Sequence, residues 1–94
     1  MNGAEWHVFR GLLLKKTASG ALHWAATTNP TSFHTSLGES VGRIFEDRFV
    51  LEAPTGSTIS QVETKDQAVF EAARGSAMDT MGLIDSALAY LGSL

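Results

Sequence analysis

Residues 64–94, TKDQAVFEAARGSAMDTMGLIDSALAYLGSL, decide the fold. Within them Val69, Phe70, Ala73, Ala77, Met81, Ile84, Leu88 and Leu91 recur at steps of three and four. At about 100° per residue these side chains share one face, so the spacing predicts one helix over 65–92. No proline interrupts it. Thr64 with Gln67 three residues on has the spacing of a capping box, and Asp66 suits the positive end of the helix dipole. At about 1.5 Å per residue the helix is ~40 Å long, enough to cross a small sheet and project beyond it.

The opposite face of that helix carries Ala68, Ala72, Gly75, Asp79, Gly82, Ser86 and Tyr90. A face meant for water normally holds long polar side chains that favour helix and solvent together. Here the side chains are mostly small, and each interior glycine costs about 1 kcal/mol relative to alanine. Small residues at this spacing allow a second backbone to come close. The expectation is a contact with a second copy or a protein partner on this face.

Working outward, the residues before the helix read mostly as short strands. Alternation predicts strands over 21–28, 32–37, 41–46, 48–53 and 57–62. The cluster Asn29-Pro30-Thr31-Ser32 separates the first two, and Pro54-Thr55-Gly56 separates the last two. A hairpin setting Trp24 opposite Leu37 and Thr28 opposite Phe33 keeps the large side chains on one side. Pairing Ile44 with Phe49 sets Gly42 against Leu51, and Ile59 can then sit beside Leu51. The polar content of 57–62 suits an edge. Connections this short allow only antiparallel neighbours.

Residues 3–16 read as a first helix, capped by Asn2 with Glu5 at the third position, although 8–17 also fits a strand. Trp6, Phe9 and Leu13 share its inner face, and Lys15 and Lys16 suit its C-terminus. The expected architecture is a single two-layer α+β domain: an N-terminal helix, an antiparallel meander of about four short strands, and a long C-terminal helix packed on the sheet.

Composition narrows the function classes. The chain has 94 residues, 44% hydrophobic and only 18% charged, with a net charge of −3. So few charges fit a surface partly buried against something else. There is no basic excess to neutralise phosphates, which argues against nucleic acid and anionic membranes. The chain has no cysteine, which removes thiolate catalysis, zinc–thiolate sites and disulfides and is compatible with the cytoplasm. No run of ~20 apolar residues offers a membrane span, and no secretory leader is read at the start.

No motif carries chemistry. His7, His23 and His34 lack the spacing of a metal site, and exposed histidines are the simpler account. Ser36, His34 and Glu39 could be assembled into a triad on paper, but no nucleophile elbow surrounds any serine. Glu39, Glu46, Asp47 and Glu52, interleaved with Arg43 and Arg48, read as the solvated side of strands. The glycines do not form a phosphate loop. No catalytic, cofactor or metal residue is assigned. The function expected is a non-catalytic adaptor or regulatory domain, a homodimer through the last helix. The alternative is a small apolar-ligand protein, or an enzyme using His23, His34 or Glu52, with a pocket at Trp24, Phe33, Phe49 and Phe70 between sheet and helices.

Overall fold

The computed structural model describes residues 1–29 and 31–94, so Pro30 of the first turn lies outside the described residues. Helix α1 spans Gly3–Ala18; strands β1 to β5 span Ala25–Ala26, Ser32–Leu37, Ser40–Phe45, Arg48–Glu52 and Thr58–Glu63; helix α2 spans Gln67–Ser93. The strands form one antiparallel sheet in the order β1-β2-β3-β4-β5. Both helices lie on one face of it, which makes a two-layer α+β domain.

Residues 8–17 are helical, so the strand option for them falls. The α1 capping box forms as expected: the Glu5 N–H donates to Asn2 Oδ1 at 2.8 Å, and the Asn2 N–H donates to Glu5 Oε1 at 3.0 Å. The start of α2 differs from its expected form. Its N-cap is Asp66 rather than Thr64, and the Val69 N–H donates to Asp66 Oδ1 at 3.2 Å. A carboxylate can serve the cap and a cation together, and Arg10 of α1 donates to Asp66 through both Nε and Nη2. One side chain thus starts α2 and ties it to α1. The Thr64 N–H is spent on the Asp47 carbonyl instead.

The meander keeps most of its expected register. Ile44 faces Phe49 and Gly42 faces Leu51. A Cβ on Gly42 would stand 2.9 Å from Leu37 Cδ1 and 3.1 Å from Phe49 Cζ, so only glycine lets these two side chains close over the sheet. Three details are corrected. The first strand shrinks from 21–28 to Ala25–Ala26. Its pairing is Ala25 with His34 and Ala26 with Phe33, two residues from the expected hairpin, which leaves every side chain on its expected face. Ile59 is exposed: the register sets Ser60 opposite Leu51, and Ile59 is the residue skipped at the irregularity before the Glu52–Thr58 pair.

The shortened strand has a physical cause. The Trp24 N–H donates to Ser76 Oγ at 2.9 Å, and the Thr80 hydroxyl donates to the Trp24 carbonyl at 3.3 Å. The His23 carbonyl accepts from Thr35 Oγ1 at 2.7 Å. Backbone groups that would extend the ladder are therefore satisfied by side chains of α2 and β2. Among the described residues no buried side-chain nitrogen or oxygen lacks a partner.

The core holds Trp6 and Leu13 of α1, Trp24, Phe33, Ile44 and Phe49 of the sheet side, and Val69, Phe70, Ala73 and Ala77 of α2. Trp6 and Phe9 both lean on Phe49, with ring centroids 5.1 Å and 5.3 Å away. Phe33 meets Phe70 edge-on at 5.4 Å. Such pairs add about 0.5–1.5 kcal/mol each beyond their buried area.

The Arg10 guanidinium, hydrogen-bonded to Asp66, holds that carboxyl below its usual range against the opposing effect of burial. A carboxylate with a depressed folded-state pKa stabilises fully above its unfolded value and loses that contribution as pH falls through the folded value. Asp66→Asn retains a good cap but loses the charge. Parent and variant are expected to differ by about 1 kcal/mol in urea unfolding at pH 7, and the gap should narrow as pH falls below the ordinary carboxylate range and through the lowered folded-state value. A gap independent of pH would show that the ion pair contributes nothing. Gly42→Val is expected to lower stability by about 1–3 kcal/mol through overpacking, read as a fall in the denaturant midpoint; an unchanged midpoint would show that the close approach is slack.

Candidate functional site

The structure divides α2 in two. Val69, Phe70, Ala73 and Ala77 are buried against the sheet, and no residue after Ala77 is buried. Met81, Ile84, Leu88 and Leu91 continue the same stripe, yet they are 56%, 56%, 62% and 63% exposed. The helix therefore runs past the body that would cover it. The molecule measures 51 × 27 × 23 Å, with a radius of gyration of 14.3 Å, against about 12.4 Å for a compact chain of this length.

The surplus surface can be gauged. A folded monomer of 10.0 kDa exposes about 5,200 Å², whereas this chain exposes 6031 Å². The excess is roughly 800 Å², the size of one side of a standard protein–protein interface. Met78, Leu83, Tyr90 and Leu94 are also exposed on this segment. Its only charged side chains after Arg74 are Asp79 and Asp85; Asp79 lies on the opposite face, while Asp85, four residues after Met81 and three before Leu88, flanks the stripe.

The residues assigned to the small face lie on one side of α2. Ala68, Gly75, Asp79, Gly82, Ser86 and Tyr90 are exposed and Ala72 is half-buried. A Cβ on Gly75 or Gly82 would meet nothing within 4 Å. Ala72, Gly75 and Asp79 border a groove of about 620 Å³ between the end of α1 and α2, which Leu14, Leu22 and Leu83 also line. Gly82 and Ser86 do not line it.

The four aromatic residues of the alternative pocket are core residues: Trp24, Phe33, Phe49 and Phe70 are all buried. An apolar depression of about 330 Å³ does open between α1 and the sheet, but Phe9, Leu12, Leu13, Leu22, Leu37 and Leu51 line it, with Lys16 and Ser40 at its polar points. None of the four assigned residues borders it.

The polar candidates are dispersed or paired. His23 and His34 border one shallow depression on the outer face of the sheet, with Ser36 and Val41, because the two-residue shift of β1 brings them closer than expected. His7 is on α1, away from both. Among the described residues no group of three His, Cys, Asp or Glu side chains converges. Arg43 Nε donates to Glu52 Oε1 at 2.7 Å, Arg48 Nη1 to Asp47 Oδ1 at 3.0 Å, and the Arg48 guanidinium stacks 3.9 Å above the Phe45 ring. Thus Glu52 and Asp47 are held by neighbouring arginines. No helix among the described residues is long and apolar enough to cross a membrane.

Comparison with protein-family models, with curated proteins and with solved structures gives no match to this chain. The uncovered stripe is the feature that sequence reading missed. It placed all eight apolar positions on one face of a helix that projects beyond the sheet, but looked for the contact on the small face; strands of five or six residues extend only about 20 Å and a helix of 27 residues extends about 40 Å.

Proposed function

We propose that this chain is a non-catalytic interaction domain that self-associates through the second half of α2. The carrying observation is the continuation of the core stripe into Met81, Ile84, Leu88 and Leu91 with nothing over it. Apolar along its centre, the stripe pairs with itself and leaves the flanking Asp85 carboxylate at the rim of the contact. Hydrophobic side chains at helical spacing lower solubility unless they are covered. Two interior glycines, Gly75 and Gly82, weaken the helix by about 1 kcal/mol each, so tertiary contact must support a segment that propensity does not.

The magnitudes favour a reversible dimer. Covering four half-exposed aliphatic side chains on each of two copies yields about 6–10 kcal/mol. Association costs from about 4 to 15 kcal/mol in lost freedom and ordering. Gain and cost are of the same size, so the stripe alone supports at most a weak contact, one that protein concentration can switch, as suits an adaptor or regulatory subunit.

Sedimentation equilibrium from about 1 to 300 μM is expected to show the mass rising from one chain to two. Leu88→Glu removes one contact from each copy and should weaken association by at least about a hundredfold, or ~2.7 kcal/mol, while circular dichroism shows the body still folded. Gly82→Arg, on the opposite face, should leave the mass curve unchanged. A single-chain mass throughout would defeat the proposal. Dissociation by Gly82→Arg but not by Leu88→Glu would move the contact to the small face and refute the stripe.

A further inference from the structure

The two helices do not cover the sheet equally. α2 lies over β1, β2 and β3, whereas α1 approaches α2 more closely than it approaches any strand. Near the start of α1 the rings of Trp6 and Phe9 close the remaining space by packing on Phe49. Past Phe9 the helix presents Leu12, Leu13 and Lys16 to that side, and the apolar depression of about 330 Å³ opens beneath them.

Local structure holds the walls of this depression. Gly20 has φ 79°, which lets the chain turn back at the end of α1. The Leu22 N–H then donates to the Lys16 carbonyl at 3.1 Å and fixes Leu22 as an end wall. Leu37 of β2 and Leu51 of β4 form the floor, one from each strand beside Gly42. Phe9, Leu22, Leu37 and Leu51 are all half-buried, so the fold leaves their apolar surface incompletely covered.

The polar groups are few. Ser40 Oγ donates to the Leu37 carbonyl at 3.1 Å, so its proton is spent. Lys16 is the only charged residue that borders the depression, and it forms no ion pair among the described residues. Apolar walls, one cation and no carboxylate suit a ligand that is apolar along its length and carries one negative charge at its end. Volume sets the length. A methylene fills about the ~30 Å³ that a water takes in the liquid. On that measure 330 Å³ holds about ten non-hydrogen atoms, the number in an eight-carbon carboxylate.

We propose that the depression between α1 and the sheet binds a medium-chain carboxylate, its tail against Leu13, Leu22, Leu37 and Leu51 and its head on the Lys16 ammonium. No residue of α2 borders the site, so it stands independently of self-association.

Titration calorimetry of the intact chain with octanoate tests this. One octanoate is expected to bind per chain, about fifteenfold more tightly than hexanoate, because each further buried methylene tightens binding about fourfold. Lys16→Glu alters an exposed position; with circular dichroism unchanged, it should weaken octanoate at least tenfold and take octylammonium instead. Leu88→Glu should bind octanoate as the parent does. No binding at millimolar octanoate, or equal affinity for hexanoate and octanoate, would overturn the proposal without needing any variant. So would a folded Lys16→Glu that binds octanoate as tightly as the parent. Loss of octanoate binding in Leu88→Glu would move the ligand to the α2 stripe and overturn the site as well.

Discussion

A helix about twice as long as the strands beneath it governs this molecule. α2 is buried only along Val69–Ala77, and every residue from Met81 onward is exposed. Every other feature follows from that mismatch. The core is small, the molecule is elongated, and the apolar stripe that begins as core ends as surface. Hydrophobic free energy scales with area removed from water, so the outer half of the stripe stays unsatisfied until another surface covers it.

The supported half is held at both ends by polar devices. At its start, Asp66 caps α2 and binds Arg10, so the two helices share one anchor. At its far end, Ser76 and Thr80 hold the backbone of Trp24, whose indole N–H reaches Thr17 of α1 at 2.9 Å. Between these anchors lies the packed aromatic core. The last anchor marks the end of the body, and the uncovered stripe begins one residue later. Such an arrangement fixes the direction in which the helix leaves while adding nothing to cover its outer part.

Much of the fold was legible in the sequence because the signals were local. The Asn2–Glu5 cap, the alternation in 32–53 and the period of α2 each report on a few neighbouring residues. The Gly42–Leu51 pairing followed from placing the one small residue against a large one. What failed was non-local. Nothing near Trp24 says that Ser76 and Thr80 will take its backbone groups and cut the first strand short. Likewise Thr64 and Asp66 are both competent caps, and only Arg10, 56 residues away, favours the carboxylate. How far α2 is covered was not legible for the same reason. Periodicity shows which residues share a stripe, but how far the sheet extends beneath them is set by strand length and direction in space. The pocket residues failed similarly: Trp24, Phe33, Phe49 and Phe70 are large enough to line a cavity, and in a domain this small they are the core.

On the self-association proposed above, a second copy covers residues 81–94 and holds their helix. Amide hydrogen exchange followed from 1 to 300 μM protein tests this directly, because an uncovered helix end frays and exchanges fast. Protection in 81–94 is expected to rise with concentration while protection in 69–77 stays constant. Exchange in 81–94 that is equally fast, or equally slow, at every concentration would contradict it.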